Sequence, residues 1–161
     1  MKNITKVLIA NRGEIATRIA RAAAACDIES LAVYAREDEL SLHTRQADQR
    51  VQLAEAADPI LAYLNIDNLM AIAQEHGVDA IHPGYGFLSE NADLAAACEA
   101  AGITFIGPDA ATLSLFGDKV RAKELATAQG VPTIPGRVLS DVADAERSEE
   151  HTSELQSPDH L

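Results

Sequence analysis

The chain of 161 residues has room for one ordinary domain and the beginning of a second. Its net charge of −12 argues against a nucleic-acid partner, because binding to phosphates requires a basic face. Its apolar runs are too short to span a membrane and we expect no signal peptide, so the sequence predicts a cytoplasmic protein.

Strand-like and helix-like patterns alternate along the first 107 residues. The predicted strands are 6–10, 31–35, 51–53, 78–81 and 103–106. Helical stripes separate them, with start signals at Asp58-Pro59 and Asn65 and a stop signal at Gly77. This alternation predicts an α/β fold, a Rossmann-like three-layer domain with a mainly parallel sheet. Two helical segments, 109–116 and 118–129, follow it.

The first strand-to-helix loop lacks the glycines of a dinucleotide-binding loop. Ala10, Arg12 and Ile15 stand at the three positions where a G-x-G-x-x-G motif would have glycine. Glu37 follows the second predicted strand, where a ribose-binding acid would lie. Without the glycines, however, a pyrophosphate cannot approach the backbone, so the sequence argues against an NAD-type cofactor.

The segment 82–91, His-Pro-Gly-Tyr-Gly-Phe-Leu-Ser-Glu-Asn, joins the fourth predicted strand to an alanine-rich helix. Pro83 favours an extended backbone at His82, and Gly84 and Gly86 allow backbone torsions that other residues resist. One interpretation is a tight turn whose two aromatic rings pack on the sheet, and local chemistry alone favours it. The other is a ligand-facing loop, because open α/β sheets bind ligands at the carboxyl ends of their strands.

A second candidate for ligand binding is the helix start at Gly117-Asp118-Lys119. Asp118 is a good N-cap residue, which places Lys119 at the first helical position. A cation there opposes the helix dipole unless an anion such as phosphate shares the helix N-terminus. A solvated lysine is the alternative, and the local sequence favours neither interpretation.

Cysteine and histidine spacing predicts no metal site. Cys26 and Cys98 fall on apolar faces of predicted helices, so we expect buried thiols and no disulfide, as in a reducing compartment. His43, His76 and His82 lack the spacing of a ligand cluster with the two cysteines. The sequence also lacks a nucleophile elbow and a catalytic serine signature.

Residues 147–161 differ in character from the rest of the chain. The stretch 147–157 resembles the in-frame translation of a sequencing adapter and has no apolar periodicity. We therefore interpret 147–161 as a non-native, disordered tail and leave it out of the fold assignment. A natural polar linker is the alternative. On the adapter interpretation, the natural protein continues beyond Glu146.

Five short motifs occur in the order and with the gaps of a known family. They are Ile-Ala-Asn-Arg-Gly-Glu-Ile-Ala at 9–16, Tyr-Leu-Asn-Ile at 63–66, the loop 82–91, Phe-Ile-Gly-Pro at 105–108 and Gly-Asp-Lys at 117–119. Together they resemble the N-terminal (pre-ATP-grasp) domain of biotin carboxylase, which serves acetyl-CoA, propionyl-CoA and pyruvate carboxylases. The resemblance covers residues 4–146.

The resemblance implies an ATP-grasp enzyme, in which ATP and bicarbonate form carboxyphosphate and biotin on a carrier domain accepts the CO2. Mg²⁺ or Mn²⁺ would bridge the ATP phosphates. The implied domains are the Rossmann-like N-terminal domain, 1–108, and the linker helices with the beginning of the ATP-grasp region, 109–146. The implied partners are biotin carboxyl carrier and carboxyltransferase domains or subunits.

The resemblance also implies roles for individual residues. Lys119 matches the family lysine that contacts ATP. Arg18 and Arg21 match residues of the family's dimer interface, which implies a homodimer, whereas Ala25 replaces a glutamate of that interface. The residues implied to face the biotin side of the cleft are His82, Tyr85, Gly86 and Phe87.

In the family, the glycine-rich lid, the metal-binding glutamates and the arginines for bicarbonate and biotin lie beyond the position of Glu146. We therefore expect an N-terminal fragment that is inactive alone and contains no catalytic residue. Residues 53–58 also depart from the family pattern in the loop after the third strand. Two alternatives stay open: a free-standing Rossmann-like binding module, and a fragment of another ATP-grasp ligase such as a carbamoyl-phosphate-synthase-like enzyme.

Overall fold

The computed structural model describes residues 3–133. Within them a five-stranded sheet has the order β3-β2-β1-β4-β5, and every neighbouring pair is parallel. The strands are β1 (Lys6–Ile9), β2 (Glu29–Tyr34), β3 (Gln49–Gln52), β4 (Ala80–His82) and β5 (Thr104–Phe105). The predicted α/β fold with a parallel sheet is confirmed.

Helices connect the strands and continue after the last one. In the described part of the chain they are α1 (Gly13–Ala25), α2 (Leu42–Gln46), α3 (Pro59–Tyr63), α4 (Ile66–Glu75), α5 (Ala92–Ala100), α6 (Ala110–Gly117) and α7 (Lys119–Ala128). A 3-10 turn (Arg36–Asp38) follows β2. The chain forms two compact units that divide between Gly117 and Asp118, so the sheet and α1 to α6 belong to the first unit and α7 to the second.

The central strand β1 packs against a helical layer on each of its faces. Val7 and Ile9 lie in apolar clusters with residues of α1. Leu8, between them, points the other way into a larger cluster with Leu69 of α4 and Leu94 of α5. Because successive side chains of a strand point to opposite faces, a continuous apolar run such as β1 requires helices on both sides.

The predicted helix signals are confirmed in their local geometry. Asp58 caps α3 by accepting the backbone N–H of Ile60 at 2.7 Å, and Asn65 caps α4 by accepting that of Asn68 at 3.0 Å. Each cap satisfies a donor that has no partner within the helix, which stabilises the helix by about 1 kcal/mol. Gly77 follows α4 with φ +60°, the left-handed conformation of a helix stop.

The prediction of two buried thiols is half wrong. Cys98 is buried, and this burial raises the pKa of its thiol to about 11. Cys26 is exposed. Cys26 follows the end of α1, where its backbone N–H donates to the carbonyl of Ala23 at 2.9 Å. It lines an open, mainly apolar groove together with Ile19 and Ala22, so the apolar face on which it lies is not covered.

Candidate functional site

The strand order reverses between β1 and β4. The chain places β2 and β3 on one side of β1 and then returns to place β4 and β5 on the other side. In open α/β sheets, the crevice outside the carboxyl ends of the strands at such a reversal is the usual ligand site. Two segments meet there, the short loop 10–12 after β1 and the loop 83–91 after β4.

Asn11 joins these two loops directly. Its side-chain nitrogen donates to the carbonyl of Pro83 at 2.7 Å and to the carbonyl of Tyr85 at 2.9 Å. Its side-chain oxygen accepts the backbone N–H of Arg12 at 2.8 Å. A Cβ atom added at Gly84 would lie 2.9 Å from the Asn11 nitrogen, so only glycine fits at this close approach.

The loop 83–91 is held in an unusual backbone conformation. Gly84 and Gly86 have φ of +70° and +65°, and Phe87 has φ of +42°, which is rare for a residue with a bulky side chain. The backbone N–H of Gly84 donates to Nδ1 of His82 at 3.1 Å. The backbone N–H of Ser89 donates to the carbonyl of Gly86 at 2.9 Å.

The two aromatic rings of this loop have opposite environments. Phe87 packs against the larger apolar cluster, as the tight-turn interpretation predicts. Tyr85 does not pack on the sheet: it is 64% exposed, and its hydroxyl lies 3.4 Å from a carboxylate oxygen of Glu14. The expectation that both rings pack on the sheet is therefore wrong for Tyr85. The change of backbone direction between the two residues points one ring inward and the other to solvent.

Arg12 lies against a pair of stacked rings. The rings of Tyr63 and Phe87 are nearly parallel, with an interplanar angle of 2° and centroids 5.3 Å apart. The guanidinium carbon of Arg12 lies 5.8 Å from the Tyr63 centroid and 5.9 Å from the Phe87 centroid. A cation within about 6 Å of an aromatic ring is attracted by the ring's quadrupole. Arg12 thus links the loop after β1 to α3 and to the loop after β4.

Asp38, at the end of the 3-10 turn, completes this cluster. It accepts hydrogen bonds from the hydroxyl of Tyr63 at 2.8 Å and from the guanidinium of Arg12 at 3.2 Å. Burial raises the pKa of Asp38, but the two hydrogen bonds and the charge of Arg12 outweigh burial, so the net pKa lies below its ordinary value. The Tyr63 hydroxyl also accepts the backbone N–H of Ala35 at 3.1 Å, which ties the cluster to the end of β2.

His43, on α2, is a fully buried histidine beside this cluster. Its Nε2 lies 3.3 Å from the carbonyl of Val33, which can only accept, so Nε2 carries the proton. Nδ1 has no hydrogen-bond partner among residues 3–133. The pKa of His43 is lowered, mainly by burial and to a smaller extent by the charge of Arg12. The Val33 carbonyl and Asp38 raise this pKa but do not outweigh burial. Burial alone lowers the pKa of His82.

This environment predicts a pH dependence of stability. His43 has a lowered pKa in the folded state and about 6.5 in the unfolded state, so below about pH 6.5 the unfolded state binds more protons and stability falls. The loss continues until the pH reaches the lowered folded value, and His82 adds to it in the same direction. We expect His43→Gln to flatten the dependence of the free energy of unfolding on pH between about 6.5 and 5, measured by urea unfolding. Equal slopes for His43→Gln and the His76→Gln control would contradict this assignment.

The predicted dimer residues lie on the exposed side of α1. Arg18 is 3.8 Å from Glu14, one helical turn earlier, and both side chains are mostly exposed. Such a pair contributes little to stability. Arg21 is also exposed. Beside them runs a mainly apolar groove of about 340 Å³, formed by α1, β1 and the ends of β4 and β5 and including Arg18 in its lining.

Lys119 occupies the first position of α7, as the sequence predicts, and its side chain is exposed. Asp118 caps the helix by accepting the backbone N–H groups of Val120 and Arg121 at 2.9 and 3.1 Å. Two of the N–H groups that a bound anion would use are therefore already satisfied. His82, Tyr85, Gly86 and Phe87 lie together in one loop of the first unit, whereas Lys119 belongs to the second unit.

Sequence reasoning missed the residues that organise this loop. The sequence assigns no site role to Asn11, Arg12, Asp38 or Tyr63. Asn11, Arg12 and Tyr63 stand only within the family motifs 9–16 and 63–66, and Arg12 also replaces a glycine of the dinucleotide-binding pattern. A signal was present: Asn11 and Asp38 follow β1 and β2, adjacent parallel strands whose carboxyl ends share one edge of the sheet. Their partners are distant in sequence, since Asn11 and Pro83 are 72 residues apart.

Two classes of site have no counterpart in the described residues. No group of three or more His, Cys, Asp or Glu side chains within residues 3–133 is placed to hold a metal ion. No helix in the same part of the chain has the length and apolar character needed to cross a membrane.

The chain is similar to known proteins in both sequence and structure. The family model described as the biotin carboxylase N-terminal domain matches residues 3–113. The pyruvate carboxylase of Bacillus subtilis (strain 168) is 53% identical over 135 residues, which cover 84% of this chain and 12% of that protein. The 2-oxoglutarate carboxylase small subunit of Hydrogenobacter thermophilus is 45% identical over 144 residues, covering 88% of this chain and 30% of the subunit.

Solved structures show the same relationship. The biotin carboxylase domain of a single-chain bacterial carboxylase superposes with a TM-score of 0.84 at 51% identity, covering 92% of this chain and 34% of that one. The biotin carboxylase domain dimer of Hydrogenobacter thermophilus 2-oxoglutarate carboxylase, in complex with MgADP, ADP and bicarbonate, gives 0.86 at 42% identity, covering 94% and 33%. This chain spans 12% of the length of the pyruvate carboxylases that it matches. Because the family model matches residues 3–113, which contain all five strands, the chain belongs to the biotin carboxylase N-terminal domain family.

Proposed function

We propose that this chain provides the N-terminal domain of a biotin carboxylase, an ATP-dependent carbon–nitrogen ligase that carboxylates carrier-bound biotin with bicarbonate. The observation that carries the proposal is the family match over residues 3–113, which includes all five strands and both loops at the strand-order reversal. The relatives named above, a pyruvate carboxylase and a 2-oxoglutarate carboxylase subunit, support the same class of reaction.

His82, Tyr85, Gly86 and Phe87 are proposed to form the biotin side of the cleft. The exposed phenol of Tyr85 at the carboxyl edge of the sheet supports this assignment, because the ureido ring of biotin is neutral and takes part in hydrogen bonds as donor and acceptor. Phe87 contributes by packing inward, which leaves Tyr85 as the ring that is free to contact a ligand. The two glycines allow a ligand to approach the loop backbone.

Lys119 is proposed to contact ATP, whose role is to activate bicarbonate by phosphoryl transfer. Its exposed ammonium at the start of α7 is suited to a polyphosphate. Because Asp118 already occupies two N–H groups of this helix, the Lys119 side chain would supply the main attraction. The family's metal-binding glutamates lie beyond the position of Glu146, so the ligands of Mg²⁺ or Mn²⁺ are proposed to come from a later part of such an enzyme.

The wider organisation follows from the same proposal. Residues 1–108 form the Rossmann-like domain, 109–146 the linker helices and the start of the ATP-grasp region, and 147–161 an adapter-derived tail; positions after 133 lie outside the described residues. Biotin carboxyl carrier and carboxyltransferase domains or subunits are the proposed partners. Arg18 and Arg21 are proposed for a homodimer interface, and the solved domain of the 2-oxoglutarate carboxylase is a dimer.

A domain exchange tests the proposal. The 161-residue chain alone is expected to show no biotin-dependent ATP cleavage, because the lid and metal-binding residues of the family lie outside it. Residues 3–133 in place of the matching residues of the Bacillus subtilis pyruvate carboxylase are expected to give an enzyme that cleaves ATP when biotin and bicarbonate are present. A folded chimera without this activity, or biotin-dependent cleavage by the 161-residue chain alone, would contradict the proposal.

A further inference from the structure

We infer that Asn11 is a positioning residue for the loop 83–91: its side-chain amide holds the backbone on both sides of Gly84 and so fixes where Tyr85 is presented. The inference rests on the proposed function only in assigning biotin to the surface of Tyr85. The holding interaction itself is a property of this chain and is tested without any ligand.

The hydrogen bonds of Asn11 use the whole capacity of its amide nitrogen. Asn11 is only 3% exposed, and its two N–H groups match the two carbonyls of Pro83 and Tyr85 at 2.7 and 2.9 Å. Its oxygen accepts the N–H of Arg12 at 2.8 Å, which fixes the orientation of the amide. Aspartate has the same shape but no hydrogen to donate when ionised, so the donor role can be separated from packing.

The approach of Asn11 to Gly84 is too close for any other residue at position 84. A Cβ atom there would lie 2.9 Å from the Asn11 nitrogen and 3.0 Å from Cγ1 of Ile15, and the backbone has φ of +70°. The amide of Asn11 therefore occupies the space of a missing side chain. This close approach couples the two positions, because removing the Asn11 amide removes one of the two clashes that a side chain at 84 would meet.

The loop is thus fixed at both ends around an exposed ring. Asn11 holds residues 83 and 85, and the stacking of Phe87 on Tyr63 holds the left-handed backbone at 87, a conformation that persists only where surrounding contacts offset its strain. Tyr85 lies between the two fixed points and is 64% exposed. None of the three Asn11 side-chain bonds joins the β-ladder. Their loss is expected to move the loop more than it weakens the sheet.

The test compares hydrogen exchange in the 161-residue chain and in Asn11→Asp. The reporter is the amide of Ser89, which bonds within the loop to Gly86, and the control amides are those of β2. At pH 7.5 we expect the Ser89 opening equilibrium, corrected for intrinsic exchange, to rise about tenfold or more relative to the parent chain, because one buried and one partly buried carbonyl lose their donors. The β2 amides are expected to change much less.

Lowering the pH separates positioning from packing. A buried carboxylic acid regains a proton and can donate one hydrogen bond, so at pH 5 the difference between Asn11→Asp and the parent chain is expected to shrink at Ser89. A purely structural role predicts no such recovery. Three results for Asn11→Asp would overturn the inference. The first is a Ser89 opening equilibrium within threefold of the parent value at both pH values. The others are an equal loss of protection at Ser89 and in β2, and unfolding of the whole chain at both pH values.

A second variant pair gives an independent result. Gly84→Ala is expected to increase the Ser89 opening equilibrium both in the parent chain and in Asn11→Ser. The fold-increase is expected to be at least about threefold smaller in Asn11→Ser, because residues in contact have coupled effects. Equal factors in both backgrounds would overturn the inference. Because no measurement includes ATP or biotin, failure of the Asn11 interaction and failure of the proposed function are separate results: the chimera tests the second alone.

Discussion

Replacing Tyr63 with alanine is expected to lower the free energy of unfolding by about 3–5 kcal/mol, the range for truncating a buried aromatic residue. Tyr63 is 1% exposed, stacks on Phe87 and contacts Arg12. Its loss would leave a cavity between the loops after β1 and β4 and remove a hydrogen-bond donor from Asp38. Urea unfolding of the 161-residue chain measures the effect.

Two matched variants make the Tyr63 result specific. Tyr63→Phe keeps the ring but leaves Asp38 and the N–H of Ala35 without the hydroxyl, so a smaller loss of about 1–2 kcal/mol is expected. Tyr85→Ala removes an exposed ring and is expected to change stability by only about 0.5 kcal/mol. A Tyr63→Ala loss no larger than that of Tyr85→Ala would show that the stacked cluster does not hold these loops together.

In the chimera, Lys119→Gln is expected to lower kcat/KM for ATP by about 100-fold, the scale observed when one group that stabilises transition-state charge is removed. The substitution removes the cation, shortens the side chain by one atom and keeps a polar end group. Since Lys119 is exposed at the first position of α7, the fold is expected to tolerate it. Steady-state ATP cleavage with biotin and bicarbonate provides the measurement.

Lys123→Gln is the control for the loss of one positive charge on the same helix. It is expected to change kcat/KM for ATP by less than about threefold, because Lys123 is a partly exposed residue one turn beyond Lys119 and solvent screens charges that are not in direct contact. If both variants lost activity equally, a general effect of charge would replace the specific role of Lys119. Urea unfolding of each chimera variant excludes a loss of folded protein as the cause.

The fold follows from local patterns, which is why the sequence predicts it well. The run containing Leu8 requires helices on both faces, and the caps at Asp58 and Asn65 depend on residues within three positions of them. Position on an apolar stripe does not by itself predict burial. Cys26 lies with Ile19 and Ala22 along a mainly apolar groove beside α1, and it is exposed because this groove is open to solvent.

The organisation of the candidate site could not be predicted in the same way. Asn11 with Pro83, and Arg12 with Asp38, are contacts between residues that are 72 and 26 positions apart. They exist only after the parallel sheet has brought the carboxyl ends of β1, β2 and β4 to one edge. The opposite burial of Tyr85 and Phe87 likewise depends on backbone torsions that neighbouring contacts impose.

The most direct test of the central claim is the transfer of labelled bicarbonate to free biotin by the chimera that contains residues 3–133. The proposed function predicts that labelled carboxybiotin forms only when ATP and a divalent metal ion are present. It also predicts that the label reaches biotin in proportion to the ATP cleaved. A folded chimera that cleaves ATP without transferring label, or that transfers none under any condition, would contradict the assignment of this domain to a biotin carboxylase.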